Sequence, residues 1–154
     1  MHLNKLTRAL PILVLALTGV ACARSSPLTG AWERVSLRDS TGTTLQPPAP
    51  AAFAIYSAHG YFSQTAIPTG RPTIDKPLTD MTREDLLARF QRVSASRGIY
   101  TISGNRLTRK GLSNINPALE GGELVQLFRI VGDTLILTSP NPANRGEATF
   151  GRVR

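Results

Sequence analysis

Residues 123–130 alternate strictly between two kinds of side chain. Leu124, Gln126, Phe128 and Ile130 fall on one side; Glu123, Val125, Leu127 and Arg129 fall on the other. Period-two alternation puts each set on one face of a β-strand. The first set is the more apolar and is predicted to face inward. The segment is bounded by a loop at 114–122 and by the turn Val131-Gly132-Asp133, which leads into a second run at 134–139. The same grammar recurs along the chain. A strand is predicted at 31–39, with Ser40-Thr41-Gly42 behind it. A hairpin follows from 52–57 through Ala58-His59-Gly60 into 61–67. Another runs from 98–102 through Ser103-Gly104-Asn105 into 106–113, and a last strand covers 147–154. These are about eight strands with glycine-containing turns, joined mostly as neighbours. In the first hairpin the inward face stays open: Phe53 and Ile55 oppose Ala54 and Tyr56, and Phe62, Gln64 and Ala66 oppose Tyr61, Ser63 and Thr65.

One helix interrupts the series. Thr82 is a good N-cap, and Asp85 three residues later completes a capping box. Leu86, Leu87, Phe90 and Val93 then share a face expected to pack on the sheet or to close one end of it. Asp75, Asp80, Glu84 and Asp85 gather at the helix start, where carboxylates complement the helix dipole, a better account of them than acid catalysis. The segment Gln46-Pro47-Pro48-Ala49-Pro50 reads as a stiff extended loop outside any central sheet. An all-β series of this length, one domain's worth, is accommodated by a closed antiparallel barrel, which removes exposed strand edges.

The N-terminus follows a different pattern. Lys5 and Arg8 precede the uncharged, Leu-rich stretch 10–20, and small residues follow at Ala21, Cys22 and Ala23. This is the layout of a secretory signal, with an apolar run too short to span a bilayer, which takes about 20 residues. The expected organisation is a signal at 1–21, a tether at 22–27 and a barrel domain at 28–154. Cys22, the chain's one cysteine, follows Thr18-Gly19-Val20-Ala21. That segment resembles the lipobox of bacterial lipoproteins, whose cysteine is lipidated and becomes the mature N-terminus; Gly19 departs from the leucine usual there. Cleavage after Ala23 is the alternative, and it would discard the cysteine. Either way no intrachain disulfide forms, and the fold must rest on its hydrophobic core. The expected location is the bacterial cell envelope, membrane-anchored through Cys22, or periplasmic or secreted without lipidation.

The segments Leu28-Thr29-Gly30-Ala31-Trp32-Glu33 and Ala54-Ile55-Tyr56-Ser57-Ala58-His59-Gly60-Tyr61-Phe62-Ser63 resemble the opening strand and first hairpin of bacterial lipocalin-like domains. Arg97-Gly98-Ile99-Tyr100-Thr101-Ile102, Gly122-Glu123-Leu124-Val125-Gln126-Leu127-Phe128 and Gly132-Asp133-Thr134-Leu135-Ile136-Leu137 resemble their later strands, in order, over nearly all of 28–154. His59 stands where that family usually has an acidic or amide residue, and the proline-rich loop at 46–50 is peculiar to this chain. The resemblance implies an antiparallel, lipocalin-like β-barrel of about eight strands with one short helix and an internal cavity. It implies no reaction. It also implies that Trp32 plugs the closed end of the barrel, that Gly30 permits close backbone approach there, and that Arg152 from the last strand stacks on the indole.

Charge and chemistry narrow the function. Lys and Arg total 18 against 10 Asp and Glu, a net +8, and removing Lys5 and Arg8 with the signal leaves +6. The cations are spread along the chain; the densest run, 106–110, is five residues long. That distribution suits solubility and attraction to anionic lipid heads rather than a nucleic-acid footprint. His2 leaves with the signal, so His59 is the one histidine of the mature chain, too few for a zinc site. No hydrolase, P-loop or dinucleotide motif is present, and no cofactor is expected. The candidate ligand-facing residues are Tyr56, Phe62, Tyr100, Leu124, Gln126 and Phe128, a lining suited to a small hydrophobic molecule with one or two polar groups. An inward Gln126 needs a partner: Tyr56, Tyr100, water or ligand. Three functions remain: a ligand-binding envelope lipoprotein, a small barrel enzyme of isomerase or cyclase type using tyrosines or His59 as acid or base, and a structural lipoprotein whose barrel is filled by its own side chains.

Overall fold

The computed structural model describes residues 26–45, 51–67, 73–91, 93–144 and 146–154. The signal and lipobox readings, Cys22 included, and the proline-rich segment 46–50 lie outside the described residues. The strands are β1 Gly30–Arg38, β2 Ala51–Tyr56, β3 Tyr61–Ile67, β4 Ser94–Ser103, β5 Arg106–Asn114, β6 Glu123–Val131, β7 Thr134–Thr138 and β8 Glu147–Arg152, with a helix α1 Arg83–Phe90 between β3 and β4. Each strand pairs antiparallel with its sequence neighbours, and β8 returns to β1, closing the barrel. Among the described residues no helix is long and apolar enough to cross a membrane.

Alternation decides what fills the barrel. Ala52, Ala54 and Tyr56 of β2, Phe62 and Ala66 of β3, Tyr100 of β4, Leu107 of β5, Leu135 and Leu137 of β7 and Phe150 of β8 are buried together with Leu28 and Trp32. Phe128 and Ile130 of β6 pack against this cluster. The first hairpin therefore turns its small and tyrosine face inward and leaves Phe53, Ile55 and Tyr61 exposed. Bulges interrupt the ladders between Arg34 and Ser36 and between Arg97 and Gly98. At the second, a Cβ on residue 98 would lie 1.9 Å from the Lys110 carbonyl oxygen, so glycine is what lets β4 and β5 approach there. β4 begins at Ser94 rather than at 98, because Ser96 pairs with Gln64 on one side and Asn114 on the other. Ladder pairing on both edges outweighs the weak strand propensity of Ser-Ala-Ser-Arg.

The helix forms where expected, with the complete Thr82/Asp85 capping box, but it does not pack as expected. It ends at Phe90, so Val93 falls outside it. Leu86, Leu87 and Phe90 are exposed, and no helix residue is buried. The outer sheet face likewise keeps Val35, Phe53, Ile55 and Ile99 exposed.

Candidate functional site

The two ends of the barrel differ. At one end the 57–60, 103–106 and 131–134 turns meet the start of β1 and the end of β8. There Trp32 is fully buried and donates its indole N–H to the Leu28 carbonyl at 2.8 Å. The guanidinium carbon of Arg152, in register with Trp32, lies 4.1 Å from the indole centroid. Its Nη1 donates to the Thr29 carbonyl at 2.8 Å, and its Nε is 3.8 Å from Asp133. Gly30 has a φ of 129°, and a Cβ there would lie 2.8 Å from Arg152 Nη1. Arg154 hydrogen-bonds to Asp133 and holds that carboxyl below the usual carboxylate range. Tyr56 and Tyr100 lie edge to face, 5.1 Å between centroids, and Tyr100 Oη donates to the Ser57 carbonyl at 2.7 Å. This end is solid.

The other end opens. A cavity of about 350 Å³ lies between β3, β4, β5 and β6 and the 114–122 loop, lined by Phe62, Leu119, Leu124, Gln64, Ser96 and Arg109 among others. A smaller cavity of about 240 Å³ beside it shares Leu124 and takes in Gln126 and Leu37. The boundary between solid core and open mouth is marked by Arg109, only 6% exposed. Alternation puts it there. On β5, Leu107 and Arg109 share the buried face, while Arg106 and Lys110 point out. Arg109 donates from Nη1 to Gln64 Oε1 and from Nη2 to Gln126 Oε1, the latter at 2.5 Å, and its guanidinium stands 5.4 Å from the Phe62 ring centroid. Its Nε is buried without a well-formed hydrogen bond, as is Tyr56 Oη. Burial pushes the Tyr56 phenol up, and the nearby Arg109 charge offsets this in part. Arg34, in register with inward-facing Phe150, is a second, half-buried guanidinium on the inner surface, and burial lowers its pKa.

The six candidate ligand-facing residues thus separate. Phe62 and Leu124 line the larger cavity, Leu124 at its rim and 51% exposed. Gln126 lines the smaller one, and its partner is Arg109 rather than a tyrosine. Tyr56 and Tyr100 belong to the buried core, and Phe128 packs against it. The open and filled interiors that the sequence left as alternatives occupy opposite halves of one barrel. Arg109 is the residue that sequence reasoning missed. It lies within the basic run 106–110, whose composition points to solubility rather than to the interior. The signal that locates it is Leu107, the one apolar residue of that run, which fixes the inward phase of β5. His59 lies in the exposed turn at the solid end, away from both cavities. Among the described residues no cluster of His, Cys, Asp or Glu is arranged to hold a metal.

No protein-family model matches this chain, and no curated protein matches it. Solved structures do. A lipocalin-like protein from Bacteroides uniformis is 12% identical, with 82% of this chain and 98% of that chain covered at a TM-score of 0.51. An uncharacterized protein from Bacteroides eggerthii is 11% identical, with 82% and 99% covered at a TM-score of 0.50. At these identities the likeness carries the fold: an antiparallel eight-stranded barrel of lipocalin-like type.

Proposed function

We propose that this chain is an exported, lipid-anchored binding protein that holds a small hydrophobic molecule in the open half of its barrel. The observation that carries the reading is the cavity of about 350 Å³ at the mouth, with Phe62, Leu119 and Leu124 as apolar walls and Gln64 and Arg109 at its base. Its size falls in the range of small-ligand sites, and its mix of apolar wall and few polar groups is what such sites use. The solid half, plugged by Trp32 and Tyr56, supplies a rigid floor. Export and anchoring rest on the charged, apolar and small-residue succession of 1–23 and on Cys22. An anchor there would tether the barrel, with its excess of cations, near anionic head groups.

A barrel enzyme of isomerase or cyclase type would need His59 or a carboxylate at the cavity mouth beside a tyrosine. His59 is at the opposite end, and Tyr56 and Tyr100 are sealed in the core, so the binding reading is the one the geometry favours. Native mass spectrometry of the purified protein tests it. A co-purified small molecule lost on mutating Phe62 and Leu124 to charged residues is the expected result. Ligand-free protein that takes up no amphiphile would overturn it. Incorporation of labelled palmitate, abolished by Cys22→Ala, is expected for the anchor; its absence in the unmutated chain would leave a freely exported barrel.

A further inference from the structure

The buried charge of Arg109 has no counter-ion among the described residues. All ten Asp and Glu residues of the chain lie among the described residues, and none is within ion-pair distance of Arg109. Glu123 lines the same cavity but sits at its exposed rim. The guanidinium is met by two amide oxygens and the face of a phenyl ring, all neutral. One of its N–H groups makes no well-formed hydrogen bond, and the neutral Tyr56 hydroxyl lies within its electrostatic reach. Burying a cation against dipoles alone costs several kcal/mol, and a methionine of similar volume would fill the position without that cost. Arginine also presents a planar fork whose geometry matches a carboxylate. An anion entering from the mouth would meet the full positive charge of Arg109, itself 6% exposed, with Glu123 at the exposed rim as the one carboxylate on the cavity lining.

Resting on the ligand-binding reading above, we infer that the barrel's ligand is an anionic amphiphile, a single hydrocarbon chain ending in a carboxylate. The carboxylate lies against Arg109 between Gln64 and Gln126, and the chain lies along Phe62, Leu119 and Leu124. The two glutamines hold the guanidinium in place when the site is empty and turn their amides to the carboxylate when it is filled. The rim, wide enough to expose half of Leu124, leaves the distal end of the chain in solvent or in lipid.

Calorimetric titration of the purified protein with decanoate and with decanol separates this inference from the reading beneath it. The two probes share a tail and differ in the head. Decanoate is expected to bind at least ten-fold more tightly than decanol, and Arg109→Met is expected to abolish that preference while retaining decanol binding. Equal affinity for the two in the unmutated protein would overturn the anionic assignment and leave a neutral-ligand barrel. Binding of neither would overturn both. A preference for decanoate that survives in Arg109→Met would remove Arg109 from the site. Should Arg109→Met fail to fold, the pH dependence in the unmutated protein decides. Decanoate affinity must fall as its carboxyl protonates while decanol affinity stays level, and parallel profiles would overturn the inference.

Discussion

Arg152 stacks its guanidinium on the indole of Trp32 at 4.1 Å, from the strand position directly opposite it. The pair joins the first and last strands at the point where the barrel closes. Trp32→Ala removes the largest fully buried side chain and is expected to cost about 3–5 kcal/mol. Arg152→Met keeps an apolar stem over the ring but gives up the cation and the hydrogen bond to the Thr29 carbonyl. It is expected to cost about 1–2 kcal/mol. Urea denaturation measures both. An Arg152→Met variant as stable as the parent would show that the stacked cation adds nothing to closure.

At Gly98 the backbone leaves no space for a side chain. A Cβ would meet the Lys110 carbonyl oxygen at 1.9 Å and Phe62 Cε1 at 2.9 Å. Gly98→Ala therefore has to push β4 from β5 at the bulge and disturb a cavity wall. About 3 kcal/mol of destabilisation is expected, the upper part of the overpacking range. Gly104→Ala is the comparison: it has open space around it and a φ of 60°, so its cost is confined to about 1 kcal/mol of left-handed backbone strain. Thermal unfolding of the two variants would contradict this account if their order were reversed.

Most of the barrel was legible from period-two runs such as 123–130, because a strand with one buried face must alternate. Of the set read as inward, Phe128 and Ile130 pack on the core and Gln126 reaches Arg109, while Leu124 stays half exposed at the rim. Three things were not legible, for separate physical reasons. The phase of β2 was hidden because Phe53 and Ile55 are apolar yet exposed; outward apolar residues are common, and only the cross-strand partners decide. The start of β4 was hidden because Ser94 to Arg97 pairs through its backbone and carries no propensity signal. Arg109 was hidden because a cation predicts exposure by default, and only the neighbouring Leu107 contradicts that default. The cavity lining was half legible in consequence: Phe62 and Leu124 are among the candidate ligand-facing residues, whereas Leu119, in a loop without period, and Arg109 are not.

Tyr56 gives the fold an alkaline limit. Burial raises its folded-state pKa above the unfolded value of about 10. A group whose folded pKa is raised leaves stability intact below the unfolded value and removes it as pH climbs toward the folded one. The loss therefore begins near pH 10. Tyr56 Oη makes no well-formed hydrogen bond but interacts with Arg109, so Tyr56→Phe should cost at most about 1 kcal/mol at neutral pH and flatten the decline above pH 10. Unfolding free energies measured from pH 8 to 11 test this, and an unchanged alkaline decline in Tyr56→Phe would place its origin in another group.

The Arg109–Gln126 contact can be weighed by a double-mutant cycle. Gln126→Leu leaves the buried guanidinium with Gln64 as its one hydrogen-bonded side chain and is expected to cost about 1–3 kcal/mol, the desolvation penalty of an unsatisfied charged donor. In an Arg109→Met background the same substitution removes an amide that no longer has a cation to serve. The penalty should then shrink or vanish, giving a coupling energy of about 1–2 kcal/mol. The double variant should also be more stable than Gln126→Leu alone, since an apolar pair replaces a buried, incompletely satisfied cation. Additive effects, with Gln126→Leu equally costly in both backgrounds, would mean that Gln126 supports the barrel through packing and that Arg109 is satisfied without it. The sign of this coupling bears on function, because a cation that depends on two amides in the empty barrel is one that an incoming carboxylate can claim.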